Sequence, residues 1–401
     1  MLTSLAFIFL VGLSMAALCQ RLKLPRIIGM LITGIVLGPY VLDLLDPSIL
    51  SISADLRQMA LIIILLKAGL SLNLSDLKKV GRPAILMAFV SASCEILAFF
   101  LLAPDLLGVT RLEAAVMGAV LSAVSPAVVV PRMVQLMEKR YGTTKSIPQL
   151  IMAGASCDDI FVIVLFTTFV SMAQGGSAHI MDFINIPVSI ILGIILGAVV
   201  GYVLSLFFET AYAHKHCVQN SMKVIIVIGV SFMLVAVETW SKDIVPISGL
   251  LAVVSMACVI KIKSIAFVSK RLSKKLGKLW IAAEVLLFVL VGAAVDIRYT
   301  LNAGIAAVLM ILIALLFRSI GVAICLFGTS MTWKERIFCM IAYLPKATVQ
   351  AAIGSVPFAI GLPCGQIVLS VAVLAILITA PLGALGIDLT YKRLLKKEEP
   401  E

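Results

Sequence analysis

Charge is scarce in this sequence. Asp, Glu, Lys and Arg make up 13% of 401 residues, about half of what soluble domains carry. With 62% of the residues hydrophobic, a soluble fold could not hide the apolar surface. Histidine is scarcer still: His179, His214 and His216 lie in loops and show no metal-ligand spacing. The eight cysteines have no CxxC pair and sit mostly inside apolar runs, so they read as small packing residues rather than disulfides or metal ligands. The short alternating segments of a membrane β-barrel are missing. So is the basic start of a secretory signal, because MLTSLAFIFLVGLSMAALCQRLK carries its positive charges after the apolar run. These absences leave an all-α polytopic membrane protein, built from recurring apolar runs of about 20 residues.

Thirteen spans are expected: 2–20, 24–42, 54–72, 83–103, 112–137, 148–173, 183–208, 222–240, 244–260, 279–296, 302–327, 334–357 and 363–389. Most of the 32 basic residues fall in loops after odd-numbered spans or in the C-terminal tail. The opposite side holds only Arg57, Arg111, Lys242 and Arg298, while Lys67, Arg318 and Lys346 lie inside spans. The positive-inside rule then puts the N-terminus outside and the C-terminus in the cytoplasm of a cell (inner) membrane. The net charge of +11 is thus topological, and no nucleic acid is expected as a partner. The densest basic stretch, Lys261 to Trp280, interleaves lysines with apolar residues. It reads as a cytoplasmic loop forming an amphipathic helix on anionic lipid.

Span 5 contains LSAVSPAVVVPRM and span 12 contains IAYLPKATVQAAIG, with Pro126 and Pro345 near their middles. A mid-helix proline lacks an N–H and frees a carbonyl four residues back. In a bilayer such groups must face protein or a wet cavity, and Ser122, Ser125 and Thr348 are near enough to help. Spans 2–6 match spans 9–13 at an offset of seven. Because seven is odd, the halves enter from opposite sides. That is an inverted-topology repeat with two broken crossing helices, the pattern of secondary transporters.

An ionisable group at mid-bilayer costs on the order of 2.5–3.5 kcal/mol, so each one needs a reason. Glu95 in span 4 and Arg318 in span 11 hold equivalent places in the repeats and are expected to form a buried ion pair. Lys346 follows Pro345, where a cation compensates exposed carbonyl ends. Asp158 and Asp159 stand together in GASCDDIFVIV. Successive helix residues point about 100° apart, so the two cannot share one partner. The plainer alternative, open to one of them and not to both, is a structural pairing with a buried cation, for which Arg318 and Lys346 are the candidates. Neighbouring carboxylates in low dielectric resist double ionisation, which lets a proton and a hard cation such as Na⁺ compete for the same oxygens. Lys67 and Glu284 are expected to reach the membrane interface.

The CDDIF of span 6, the VSPAVVVP and PKATVQAAIG breaks, and Glu95 with Arg318 resemble the monovalent cation–proton antiporter superfamily, and most closely its NHA-type sodium/proton branch. The resemblance covers nearly the whole chain. It implies that Asp159 is the principal ion and proton carboxylate, with Asp158 its neighbour. It implies that Ser125, Pro126 and Thr348 line the crossing, beside Pro345 and Lys346. It further implies a homodimer in which core helices 83–173 and 302–389 move in an elevator-like way against helices 1–72 and 183–296. No cofactor is implied beyond the transported Na⁺ or Li⁺. Many electrogenic relatives carry a lysine near the place of Arg318, and an Asp where this chain has Ser125.

The expected activity is exchange of Na⁺ (or Li⁺) for H⁺ by alternating access. A K⁺/H⁺ antiporter, or a proton-coupled organic anion transporter on the same fold, is the alternative. An intramembrane aspartyl protease needs two aspartates from different helices and a GxGD-like motif, and neither is present, so no enzyme is expected. A passive channel would not need titrating carboxylates opposed to broken helices.

Overall fold

The computed structural model describes residues 1–22, 24–71, 74–174, 180–213, 220–241, 247–296 and 304–397. His179, His214, His216, Lys242 and Arg298 lie outside the described residues. In chain order the helices are α1 (Leu2–Arg21), α2 (Arg26–Leu37), α3 (Pro47–Ser51), α4 (Ser53–Ser71), α5 (Leu74–Leu107), α6 (Arg111–Leu121), α7 (Pro126–Glu138), α8 (Ile147–Gln174) and α9 (Ile180–Ala213). They continue as α10 (Asn220–Ser241), α11 (Gly249–Lys263), α12 (Ala266–Ala293), α13 (Gly304–Cys325), α14 (Trp333–Ala342), α15 (Thr348–Ile353), α16 (Val356–Ala359) and α17 (Gly365–Leu394). Among the described residues there is no strand beyond one isolated bridge, Tyr141 with Lys397.

Nine helices among the described residues are long and apolar enough to cross a membrane, counting α6 and α7 together. The four other expected spans are also helical, but they are short, charged or interrupted: α2, α4, α11 and the α14–α15 pair. α5 bends at Gly81, whose φ of +57° suits glycine.

The chain forms two compact units. One comprises Met1–Ala54, Asn73–Ala173 and Val285–Glu401. Here α5 packs along α13, and Gly321 lets the α13 backbone approach Ser91 and Cys94 of α5. Glu95 then lies opposite Arg318, one turn from that approach. Helix α17 packs against α14, α15 and α7. In the other unit, Asp55–Leu72 with Gln174–Glu284, α9 packs on α11. Gly193, Gly197 and Gly201 of α9 face the carbonyls of Ser248, Ala252 and Met256, with no room for a Cβ. Spacing of four puts all three on one face, the small-residue packing of membrane helices.

Two expectations fail here. The stretch Lys261 to Trp280 is not a loop: Lys261 and Lys263 end α11, and from Ala266 the chain is one continuous helix through the next span. Its apolar stripe, Val268, Leu272, Leu276 and Trp280, is buried within the protein. An i, i+4 stripe buried in this way is not available to lie on lipid. Glu284, expected at the interface, is buried as well.

Candidate functional site

The two broken helices start alike. Thr110 and Glu113 form a capping box at the start of α6, with Thr110 N–H donating to Glu113 Oε2 at 2.8 Å. Thr332 and Glu335 form the same box at the start of α14. Each box satisfies N–H groups that the first helical turn leaves open. Helix α6 then stops at Leu121 and the chain resumes helically at Pro126. A proline at the first helical position loses nothing, since that N–H has no intrahelical partner. Helix α14 stops at Ala342 and resumes at Thr348. The breaks cross: Ser125 N–H donates to the Pro345 carbonyl at 2.8 Å. The Ser125 and Thr348 hydroxyl oxygens face each other at 3.5 Å, both fully buried.

A broken helix leaves carbonyls without partners, and here side chains from the second half take those of the first. Lys346 Nζ donates to Leu121 O at 2.5 Å. Arg318 Nη1 donates to Ser122 O. Gln350 Nε2 donates to Ala123 O at 2.7 Å. Arg318 also reaches the other break, where Nε donates to Tyr343 O at 2.9 Å. Of the hydroxyls expected to help, Ser122 Oγ only donates back to Ala119 O. On the second break, Lys346 N–H donates to Thr379 Oγ1 of α17 at 3.0 Å. The equivalent position on the first break is Val124 N–H, which donates to Asp158 Oδ2 of α8 at 2.8 Å.

Five buried charged residues, Glu95, Asp158, Asp159, Arg318 and Lys346, gather at the crossing. Arg318 is fully buried and bridges two acids, Glu95 Oε2 at 2.8 Å through Nη1 and Asp158 Oδ2 at 2.6 Å through Nη2. Lys346 Nζ lies 2.6 Å from Glu95 Oε1. The Glu95–Arg318 pair is therefore present, but the guanidinium fork serves Asp158 as well. Lys346 caps a carbonyl, as its place beside Pro345 suggests, but one belonging to the opposite break. Asp159 differs from its neighbour. It is buried, makes no hydrogen bond or ion pair among the described residues, and its Oδ1 has no partner. Two adjacent aspartates thus occupy unlike places, one tethered and one free, as their angular separation requires.

Gly154, one turn before Asp158, has no space for a Cβ because the Tyr343 hydroxyl lies against it. The same Tyr343 ring lies 5.5 Å from the Arg318 guanidinium carbon, within cation–π range. Gly154→Ala is expected to push that ring off its place and cost about 1–3 kcal/mol. Thermal unfolding of the purified variant checks this, and an unchanged melting point contradicts the packing described.

Gln350, Thr379 and Tyr343 carry no charge, and nothing in their sequence context singled them out. The capping boxes were readable as Thr-x-x-Glu ahead of each apolar run. A group of three or more metal-ligating side chains does not occur among the described residues.

Comparison with known proteins places the chain in a family. The family model described as "Sodium/hydrogen exchanger, transmembrane" matches residues 5–392. Sodium/hydrogen exchanger 9B2 of Homo sapiens is 34% identical, over 94% of this chain and 71% of its own length. Sodium/hydrogen exchanger 9B1 of Mus musculus is 30% identical over 94% of this chain. In fold, the chain is similar to the sodium proton antiporter MjNhaP1 of Methanocaldococcus jannaschii, at a TM-score of 0.85, 19% identity and 98% coverage of both chains. An all-helical membrane fold, two crossed breaks and a family match over almost the full length converge: the chain belongs to the sodium/hydrogen exchanger family.

Proposed function

We propose that this multi-pass membrane protein exchanges Na⁺ or Li⁺ for H⁺ by alternating access, with cation and proton competing for Asp159. One observation carries the reading: three buried carboxyl groups face two buried cations. Arg318 and Lys346 are committed to Glu95 and Asp158. Asp159 is the carboxylate left over, and a bound proton or a bound Na⁺ supplies the missing charge. A site that must hold one or the other, and only one, is an exchanger.

The oxygens present favour a small, hard cation. The carbonyls of Leu121, Ser122 and Ala123 are already taken by donors, which leaves carboxylate, hydroxyl and water oxygens as the main ligands. Ser125 and Thr348 supply the hydroxyls, and Asp158 orients the site from its anchored place. The same pairing disfavours an organic anion, because neither Arg318 nor Lys346 is free to receive one. K⁺ relies more on carbonyl cages and is the weaker candidate. One leftover carboxylate also implies one proton per Na⁺, and hence no net charge moved.

In the cycle we envisage, helices 83–173 and 302–389 carry the site as a core. Helices 1–72 and 183–296 provide the scaffold and the contact of a homodimer in the cell membrane, with the N-terminus outside and the C-terminus in the cytoplasm. The exposed Lys270, Arg271, Lys274 and Lys278 would meet anionic headgroups on that cytoplasmic side.

Proteoliposomes with an imposed pH gradient test the proposal. Added Na⁺ or Li⁺ should move lumenal pH, K⁺ should do so weakly, and an imposed membrane potential should not alter the initial rate. Flux that is equal for K⁺ refutes the cation assignment, and the absence of cation-dependent proton movement refutes exchange.

A further inference from the structure

The peptide unit joining Ala123 to Val124 lies in the first break and is held at both ends. Its N–H, on Val124, donates to Asp158 Oδ2 at 2.8 Å. Its carbonyl, on Ala123, accepts from Gln350 Nε2 at 2.7 Å. A peptide unit is planar, so C=O and N–H point opposite ways and turn together. Gln350 therefore aims that N–H at Asp158 without touching the carboxylate. The other end of the amide is engaged too, since Oε1 accepts from Ala347 N–H at 2.8 Å. Gln350 is fully buried and uncharged, so it joins the breaks without altering the charge of the cluster. Arg318 and Lys346 cannot replace it, because they reach the carbonyls of Ser122 and Leu121 instead.

We propose that Gln350 is a positioning residue for the exchange reaction. It fixes the plane of the Ala123–Val124 peptide so that Asp158 stays anchored and the Ala123 carbonyl is withheld from the transported cation. This role depends on the exchange activity proposed above. Without the amide, the peptide plane can turn. Asp158 then keeps only Arg318, and a carbonyl oxygen, a natural ligand for Na⁺ or K⁺, becomes available next to the carboxylates. The result is altered cation affinity and choice, with turnover retained.

The test compares wild type with Gln350→Ala, Gln350→Asn and Gln350→Met in proteoliposomes. It measures KM and maximal rate for Na⁺, Li⁺ and K⁺ and the pH profile of exchange. Gln350→Ala should raise the KM for Na⁺ about tenfold, as loss of an orienting partner does at metal sites, and narrow the preference for Na⁺ over K⁺. Its maximal rate should stay within about twofold of wild type. Gln350→Met keeps the length of the side chain, adds no charge and loses the amide, so it should resemble Gln350→Ala. Gln350→Asn retains the amide on a shorter stem and should restore part of the affinity. Variants with wild-type KM, cation preference and pH profile, and only a lower melting point, make Gln350 a brace and overturn the proposal. If Gln350→Ala fails to assemble, the similarly sized and uncharged Gln350→Met decides between the same two outcomes. Wild-type protein without cation-dependent flux removes the exchange reading and this role with it. An active wild type with unaffected variants removes this role alone.

Discussion

Asp159→Asn is expected to abolish cation-dependent proton flux and to leave the fold intact. The substitution is nearly isosteric and removes the one buried carboxylate that, among the described residues, has no protein partner. No ion pair is broken by it, so the melting point should hold or rise slightly. What disappears is the group for which cation and proton compete. Exchange should therefore fall about 100-fold or more, the usual scale for losing an essential proton-transfer group. Asp158→Asn makes the contrast, since it weakens a 2.6 Å contact with Arg318 and should lower stability as well as rate. Flux measurements and unfolding curves on the same preparations check both statements. Appreciable exchange by Asp159→Asn would falsify its assigned place at the centre of the reaction.

Loss of Arg318 should have the largest effect on stability. Its guanidinium binds Glu95, Asp158, Ser122 O and Tyr343 O, with no exposed surface. Arg318→Met leaves two acids and two carbonyls of a membrane interior without that donor. Breaking a buried ion pair by removing one partner costs about 3–5 kcal/mol, and here one residue serves two pairs. Arg318→Lys should not restore the loss, because a point ammonium cannot span four acceptors as a planar fork does. Adding Asp158→Asn to Arg318→Met should recover part of the stability by removing the acid left without a cation, since Glu95 keeps Lys346. Thermal unfolding in lipid or detergent measures all three. A melting point for Arg318→Met equal to wild type would contradict the network.

Much of this site was legible in the sequence because mid-membrane charge and proline are costly. Asp158, Asp159, Glu95, Arg318 and Lys346 stood out against apolar runs, and Pro126 with Pro345 marked the breaks. The pairing of Glu95 with Arg318 followed from matched places in the two halves. Two features were not legible. One guanidinium can serve two acids, and its geometry appears only when α5, α8 and α13 are brought together. Neutral partners such as Gln350 and Thr379 leave no mark in composition, since a glutamine or threonine in an apolar helix has many ordinary uses. The Lys261 to Trp280 stretch misled for a different reason. An amphipathic pattern says that one side is buried, but it does not say whether protein or lipid covers it.

The compensation at the crossing has a direction in time. The acids Glu95, Asp158 and Asp159 are made early, whereas Arg318 comes 160 residues after Asp158 and Lys346 later still. While the chain is being synthesised, the first half sits in the membrane with unpaired carboxyls and open carbonyls, a costly state. Biogenesis therefore passes through a stage that the finished protein never shows, in which those carboxyls lack their cations and depend on water or other partners. Substitutions at Arg318 or Lys346 act first on that stage. Their earliest sign is less protein reaching the membrane, ahead of any change in the molecules that arrive there.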